Sequence, residues 1–284
     1  MLTAGLLTDQ SASIRVLDVG CGCGDQSLYL TSLTRTASLV SAGSASAVDT
    51  TLSSESASRP RTRNGSHQPL LDSYIGINLE PSQAEVAEER LQSSYRSTEK
   101  SSLCPRAKIF CANAADPTSW SGELQSSIDD LTATSQNPDT TTWLLALDTM
   151  YHFRPSRLPL LHYARNTLHA SFMAFDFILA DNVSWRQRLL LRLVCWVTGS
   201  PYGNFISREK YLQILEAAGH DLSQVEIRDI TRRVFPGLAG FLDRRVKEGE
   251  IYGLKMTRYK AARMVFRWWA NSGIVRGVVV VAKR

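Results

Sequence analysis

Apolar and polar residues follow two different periods along this chain. Short runs rich in β-branched residues, such as the one at 14–19, are typical of buried strands. Longer stretches with an apolar residue at every third or fourth position, such as 81–95, are typical of amphipathic helices. Because the two kinds alternate, the sequence predicts an α/β domain with a doubly wound, mainly parallel sheet and helices on both faces.

The predicted elements can be bounded from the pattern alone. We expect strands at 14–19, 73–78, 106–114, 142–148 and 171–179, and helices at 25–36, 81–95, 121–131 and 156–168. After residue 180 the pattern changes, with helical segments expected at 182–206 and 231–273 and a well-marked helix at 207–220. Apolar runs at 224–231 and 275–284 predict two further strands.

One segment departs from this pattern. Residues 37–69 are rich in serine and threonine and poor in large apolar side chains. Such a composition buries too little apolar surface to fold, so we expect a disordered insertion at the surface. A regulatory role is the alternative to a merely tolerated insertion.

Charge and cysteine content exclude some classes of protein. The net charge of +5 is too small and too evenly spread to predict nucleic-acid binding. Arginines in the last third either solvate the surface or attract anionic substrates or a lipid surface. The five cysteines form no framework and no Cys-x-x-Cys pair, so we expect reduced thiols, no metal site and a cytoplasmic protein, with peripheral membrane contact as an alternative. Neither a signal peptide nor a membrane-spanning segment is recognisable.

Three glycines directly follow the first predicted strand. Gly20, Gly22 and Gly24 stand at every second position after Asp18. Glycine reaches backbone angles closed to other residues and lets a ligand approach the main chain. The turn lies at the carboxyl end of a parallel strand, where such folds bind ligands, so it indicates a nucleotide-like cofactor.

The spacing argues against a dinucleotide. A dinucleotide fold uses G-x-G-x-x-G, whereas this turn is G-x-G-x-G. Asp18 at the strand end would also repel a pyrophosphate, but it suits a cationic ligand. A nicotinamide-dependent oxidoreductase is therefore disfavoured.

The segment "VLDVGCGCG" resembles motif I of the class I S-adenosylmethionine-dependent methyltransferases. "YIGINLEPSQAEVAEERL" and "ALDTMYHF" are similar to later motifs of its small-molecule branch, which includes sterol and tocopherol methyltransferases and cyclopropane fatty acid synthases. "SREKYLQILEAAGH" resembles a late helix of that branch. The resemblance covers residues 14–284 apart from Ser-rich insertions. It implies one methyltransferase domain over 1–284, with a seven-stranded Rossmann-like sheet whose last strand is antiparallel.

The resemblance also implies S-adenosylmethionine as cofactor. Gly20, Gly22 and Gly24 would form the turn under its methionine part, and Asp18 would face its ammonium, directly or through water. Alternatively, Asp18 only holds the turn. The implied activity is methyl transfer to a small, lipophilic molecule.

Further positions carry over from the second, third and fourth strands. Asn78 stands where most members have an acidic residue that binds the ribose hydroxyls, and Glu80 and Gln83 follow it. Alternatively, Asn78 is only a turn residue. Asn113 and Ala114 would lie near the adenine.

Two aspartates complete the implied site. Asp116 is a candidate partner of the adenine amino group or, alternatively, a carboxylate of the loop. Asp148 would sit beside the sulfonium together with Thr149 and Met150.

Methyl transfer from a sulfonium is an in-line displacement, for which the protein mainly supplies proximity and alignment. A base is needed only when the acceptor must lose a proton. His152 is the candidate base, since its pKa suits proton transfer near neutral pH. Tyr151 would orient the substrate or contact the cofactor. A structural histidine, hydrogen-bonded below the pocket, is the alternative for His152.

The substrate side is expected at the helical segments. Only about 13 residues precede the first strand, so we expect the N-terminal cap of this branch to be absent or truncated. Within 182–206, five large apolar residues fall near one helical face: Trp185, Leu189, Leu190, Leu193 and Trp196. They are expected to pack on the domain; lining an apolar pocket or touching lipid is the alternative.

Two other functions compete with catalysis on a small molecule. A truncated cap is compatible with a non-catalytic protein that binds S-adenosylmethionine or serves as a scaffold. A nucleic-acid methyltransferase is disfavoured, because amino-directed enzymes carry an Asp-Pro-Pro-Tyr type motif where this chain reads "DTMY". The expected partner is a small molecule and not a nucleic acid.

Overall fold

The computed structural model describes residues 13–35, 68–97, 106–133 and 140–284. The Ser-rich insertion predicted at 37–69 lies almost entirely outside these residues. Its last two residues, Gln68–Pro69, pair in antiparallel fashion with Thr34–Arg35. The residues before the first strand also lie outside the described ranges.

One sheet organises the described part of the chain. Its seven strands are β1 (Ser13–Val19), β2 (Leu71–Asn78), β3 (Arg106–Cys111), β4 (Thr140–Leu147), β5 (Ser171–Leu179), β6 (Val225–Asp229) and β7 (Val275–Ala282). Their order is β3-β2-β1-β4-β5-β7-β6. The first five strands pair in parallel, whereas β7 is antiparallel to β5 and β6. The predicted fold class, including the antiparallel last strand, is confirmed.

Helices connect the strands and cover both faces of the sheet. They are α1 (Asp25–Ser32), α2 (Pro81–Ser97), α3 (Gly122–Ala133), α4 (Leu158–Asn166), α5 (Trp185–Thr198), α6 (Arg208–Ala217), α7 (Thr231–Ile251) and α8 (Thr257–Ser272). α1 ends earlier than predicted because the backbone of Leu33 is extended. β3 also ends early, since its last partner on β2 is Asn78, which pairs with Cys111.

Two of the helices have clear local caps. Ser207 caps α6 by accepting a hydrogen bond from the backbone N–H of Lys210, as expected for serine at that position. Ser184 and Gln187 form a capping box at the start of α5, and Gly199 ends that helix in the left-handed conformation.

Buried apolar residues form three clusters around the sheet. One face of the sheet packs on α3, α4 and α6, and the other packs on α1 and α2. A third cluster joins α5, α7 and α8 to the outer ends of β5 and β7, around Phe177, Phe235 and Trp269. Trp269 is buried in this cluster and Trp268 is partly buried against it.

The topology fixes where a ligand can bind. The chain leaves β1 toward β2 on one side and later returns to β4 on the other side. At such a switch point the connections diverge and leave a crevice outside the carboxyl ends of the strands. Here the crevice lies where β1, β2 and β4 end, at Val19, Asn78 and Leu147.

Candidate functional site

The three glycines of the turn all have left-handed backbone angles, with φ of 76°, 58° and 83°. A Cβ on Gly20 would lie 2.3 Å from Thr149 Oγ1, and one on Gly24 would lie 3.0 Å from Ala87. A Cβ on Gly22 would meet nothing within 4 Å. Packing therefore requires glycine at Gly20 and Gly24, while Gly22 borders open space that a ligand can fill.

Asp18 is buried at the end of β1, with 1% of its surface exposed. Its Oδ2 accepts hydrogen bonds from the Tyr74 hydroxyl at 2.6 Å and from Gln26 Nε2 at 3.0 Å. Oδ1 has no hydrogen-bond partner among the described residues. Burial raises the pKa of Asp18 to about 7, and the two hydrogen bonds oppose that rise.

Asn78 ties the end of β2 to the glycine turn. Its Nδ2 donates to the carbonyl oxygen of Gly22 and to Oε1 of Gln83, each at 3.0 Å. Its Oδ1 accepts from the backbone N–H of Glu80 at 3.4 Å. Asn78 is thus a structural residue of the turn and also lines the cavity described below, whereas Glu80 and Gln83 lie at the exposed start of α2.

Asn113 and Ala114 follow β3 and both line the same cavity. The Asn113 side chain folds back on its own loop, since its Oδ1 accepts from the Ala115 N–H at 3.0 Å. Asp116 accepts from both the N–H and the hydroxyl of Thr118 and caps a short turn. The geometry therefore favours the loop role of Asp116.

Asp148 and Tyr151 form a pair after β4. Asp148 has a left-handed backbone, with φ of 59°, and the Tyr151 hydroxyl donates a hydrogen bond to its carboxylate. Although Asp148 is exposed as a residue, desolvation of its carboxyl group raises its pKa to about 6. The Tyr151 ring packs on Phe177, with centroids 4.7 Å apart. Tyr151 therefore points to the third cluster, and neither member of the pair lines the cavity.

His152 does line the cavity, and its ring has no hydrogen-bond partner among the described residues. Desolvation and the nearby Arg154 lower the pKa of His152. The imidazole is therefore neutral at physiological pH and can accept a proton. This geometry does not support the hydrogen-bonded structural role considered for His152.

The cavity has a volume of about 380 Å³, within the range of small-molecule sites. Of the predicted site residues it brings together Gly20, Asn78, Asn113, Ala114, Thr149 and His152. The other predicted residues surround it without lining it: Asp18, Gly22, Gly24, Glu80, Gln83, Asp148 and Tyr151. Residues not expected there as site residues complete the wall: Ile77, Leu79, Phe153, Arg154 and Gly199.

A buried polar network supports the loop that carries His152. Arg157 and Asp176 form an ion pair, with 2% and 0% of their side chains exposed. The Tyr211 hydroxyl donates to Asp176 at 3.1 Å, and Arg157 donates to the carbonyl oxygen of Asn204 at 2.9 Å. Because each charge is paired and hydrogen-bonded, the network holds β5, α4 and α6 in a fixed arrangement.

Asn204 connects this network to the site. Its side-chain amide donates to the carbonyl oxygens of Tyr151 at 3.0 Å and Phe153 at 2.7 Å. Sequence reasoning missed Asn204, Arg157 and Asp176. The lone aspartate inside the apolar run "SFMAFDFIL" was the one signal that could have revealed a buried partner.

The apolar face of α5 is not packed as expected. Trp185, Leu189, Leu193 and Trp196 are 70%, 60%, 54% and 81% exposed. The opposite side of the helix packs on the domain, through Leu191 and Cys195. The expectation that the five large apolar residues pack on the domain is therefore wrong, because the helix is apolar on two faces and only one meets the core.

Within the described ranges, no group of three or more His, Cys, Asp or Glu residues could hold a metal ion. None of the helices in these ranges combines the length and the hydrophobicity that a transmembrane span requires. Cys21, Cys23, Cys111 and Cys195 are free thiols, while Cys104 lies outside the described residues.

No protein-family model and no curated protein matches this sequence. Solved structures, however, match nearly the whole chain. The cyclopropane synthase MmaA2 of Mycobacterium tuberculosis has a TM-score of 0.60 at 12% identity, over 99% of this chain and 82% of its own. Phosphoethanolamine N-methyltransferase 2 of Haemonchus contortus, in complex with phosphomonomethylethanolamine and S-adenosylhomocysteine, also has 0.60 at 12% identity, over 99% of this chain and 51% of its own.

A third similar structure is that of an enzyme named for a different reaction, a cyclisation. The 4+2 cyclase SpnF has a TM-score of 0.55 at 15% identity, over 96% of this chain and 76% of its own. This chain therefore has the Rossmann-like fold of class I methyltransferases, which agrees with the resemblance of its motifs. At these identities the likeness establishes the fold, and the reaction has to be argued from the site.

Proposed function

We propose that this protein transfers a methyl group from S-adenosylmethionine to a small, lipophilic molecule. The observation that carries the proposal is the glycine turn at the end of β1. It opens at the switch point of the sheet, beside a cavity that also takes in the ends of β2, β3 and β4. The structural neighbours add support, since one of them binds S-adenosylhomocysteine.

The residues present fit this cofactor. Gly22 borders open space, so the main chain of the turn can be approached closely. Asp18 keeps one buried carboxylate oxygen without a partner among the described residues, which suits a cationic group. Asn78 and Asn113 line the cavity, where the Asn113 Nδ2 group and the second lone pair of Asn78 Oδ1 are available to the polar parts of a nucleoside. When bound, the cofactor would supply an activated methyl group on a sulfonium.

The chain itself would supply alignment and a proton acceptor. His152 is neutral, lines the cavity and can take a proton from an acceptor that must lose one. Tyr151 has its hydroxyl engaged with Asp148, so we assign it the role of holding the loop and not of contacting the substrate. The apolar wall formed by Ile77, Leu79 and Phe153 supports a lipophilic acceptor.

A cytoplasmic location belongs to the same proposal. The four described cysteines are free thiols, in keeping with a reducing compartment. Peripheral contact with a membrane would bring a lipophilic acceptor to the cavity, and the exposed face of α5 provides a surface for it.

Calorimetric titration with S-adenosylmethionine and, separately, NADH tests the cofactor. Gly22→Arg fills the open space beside the turn, and Gly253→Arg is its matched control. Both glycines have positive φ and face nothing within 4 Å, but Gly253 lies between α7 and α8, whereas Gly22 lies in the turn after β1. We expect binding of S-adenosylmethionine alone, lost in Gly22→Arg and kept in Gly253→Arg. Equal binding by both variants would contradict the proposed site.

Methyl transfer is tested separately, by mass spectrometry of apolar acceptors incubated with the protein and isotope-labelled S-adenosylmethionine. Gain of the labelled methyl group supports an enzyme. Tight binding without transfer to any acceptor of the panel would favour the non-catalytic alternative.

A further inference from the structure

Helix α5 presents an apolar surface to solvent beside the candidate site. At 100° per residue, Trp185, Leu189, Leu193 and Trp196 fall within an arc of about 80°. Leu191, which packs on the domain, lies on the opposite side of the helix. Apolar surface gathered on one element in this way marks an interaction site, whereas scattered apolar residues do not.

The helix is stable without a partner on this face. Its first turn is held by the capping box of Ser184 and Gln187, and its last turn ends at Gly199. Leu191 and Cys195 anchor the inner side, at 0% and 3% exposure. The outer face is therefore preformed and does not depend on a partner for its conformation.

The charge of α5 indicates what the face meets. The helix carries Arg186, Arg188 and Arg192 and no acidic residue. Among the described residues, no carboxylate lies within salt-bridge distance of these three arginines. Arg188 donates to the Val183 carbonyl oxygen, and Arg186 and Arg192 stack on Trp185 and Tyr202, so their charges are not neutralised within the described chain. Tryptophan and leucine combined with arginine are typical of helices that lie in the interfacial layer of a membrane. The arginines suit the negative surface of an anionic bilayer.

We propose that α5 is a docking helix that lies in the surface of an anionic lipid bilayer. Gly199, at its carboxyl end, lines the candidate cavity, and Arg154 of the cavity wall donates to the Gly199 carbonyl oxygen at 2.7 Å. Docking therefore places the cavity at the lipid surface. That a lipophilic acceptor enters from the membrane rests on the proposed function; lipid binding by α5 does not.

A second copy of the chain fits this face less well. In a two-fold dimer through α5, the same surface patch meets itself. Arg186, Arg188 and Arg192 would then face their own equivalents without acidic partners on the helix. An anionic lipid surface compensates these charges, so lipid is the occupant that the observations favour.

Flotation of the full chain with lipid vesicles tests the proposal. One set of vesicles contains phosphatidylcholine alone, and the other contains phosphatidylcholine with about 30% phosphatidylserine, which gives the bilayer a negative surface. We expect the chain to float with the anionic vesicles and to bind neutral ones at least tenfold more weakly. Raising the salt concentration should weaken binding, since surface charges are screened.

Three variants separate the contributions. Leu189→Glu/Leu193→Glu should abolish flotation, because it places two carboxylates in the apolar face. Arg186→Gln/Arg188→Gln/Arg192→Gln should weaken binding to anionic vesicles by about fivefold for each arginine. Tyr29→Ser/Val86→Ser is the matched control, with 61% and 41% exposed side chains on α1 and α2, and should float like the original chain.

Three outcomes would overturn the proposal. One is that the full chain binds neither kind of vesicle. Another is that light scattering shows a dimer that Leu189→Glu/Leu193→Glu dissociates, since a second copy then covers the face. The third is that the Tyr29→Ser/Val86→Ser control loses flotation to the same extent as Leu189→Glu/Leu193→Glu. Titration of each variant with S-adenosylmethionine keeps the two proposals apart, because loss of flotation with intact cofactor binding concerns α5 alone.

Discussion

The side-chain amide of Asn204 lies 2.7 Å from the carbonyl oxygen of Phe153 and joins the segment after α5 to the loop that carries His152. The same amide donates a second hydrogen bond, 3.0 Å long, to the carbonyl oxygen of Tyr151 in that loop. The candidate base is therefore positioned by a residue that is distant in sequence and is itself anchored by the buried Arg157.

Asn204→Ala should lower the free energy of unfolding by about 1–3 kcal/mol, because two carbonyl oxygens lose their donor in a buried site. It should also weaken cofactor binding, since the loop with His152 is no longer held. Asn166→Ala is a matched control: the Asn166 amide likewise bridges two carbonyl oxygens, those of His162 and Ala218 at 2.9 and 3.0 Å, neither of which belongs to the loop with His152. Denaturation with urea and calorimetric titration measure the two effects. Weakened cofactor binding in both variants would contradict a positioning role of Asn204.

Gly20→Ala should destabilise the protein and weaken cofactor binding. Its φ of 76° is unfavourable for alanine by about 1–2 kcal/mol, and the added Cβ would clash with Thr149. Thr149→Gly in the same chain removes the atoms 2.3–3.0 Å from that Cβ and should restore part of the lost stability. Thermal unfolding of the single and double variants measures the coupling. Strictly additive effects would show that the two residues do not interact.

Cofactor binding should release protons near neutral pH. Asp18, with a pKa of about 7, is partly protonated in the free protein, and a cationic ligand favours its carboxylate. Affinity for S-adenosylmethionine should therefore rise as the pH increases from 6 to 8. If binding releases one proton, the rise is at most about tenfold per pH unit. Titration in buffers of different ionisation enthalpy counts the protons. Asp18→Asn should flatten this dependence; an unchanged slope in that variant would assign the proton to another group.

Stability should fall in mild acid because of His220. This side chain is 3% exposed, and neither ring nitrogen has a hydrogen-bond partner among the described residues. Burial, aided by Arg165, lowers the pKa of His220 to about 4, below the 6.5 of an unperturbed histidine. The unfolded chain then binds a proton that the folded one does not, so stability is lost as the pH falls from about 6.5 to 4, by up to about 3 kcal/mol.

His220→Leu removes this contribution and should make the free energy of unfolding less dependent on pH over that window. His162→Leu, at an exposed position on α4, is the control and should leave the dependence unchanged. Urea denaturation at pH 7 and pH 5 gives the comparison. The same loss of stability in His220→Leu as in the original chain would locate the acid sensitivity elsewhere.

The fold class and the place of the candidate site both follow from local patterns in the sequence. Strand and helix periods are local signals, and the turn glycines have backbone angles that other residues avoid, so both can be read without the fold. For the same reason the cap at Ser207 agrees with prediction, and α5 lies within the segment expected to be helical. The position of Gly20 at a switch point follows once the strands are known to be parallel.

Which polar groups meet, and which apolar face stays exposed, depends on how the elements pack together. Asn204 and Phe153 are 51 residues apart in the sequence. Arg157 and Asp176 form their ion pair only because α4 packs on β5. Likewise, α5 carries apolar residues on two sides, and its sequence does not show which side packs on the domain. In the structure Leu191 is buried, whereas Leu189 is exposed. Long-range burial leaves no local pattern in the sequence, because it depends on the surface that the rest of the chain presents.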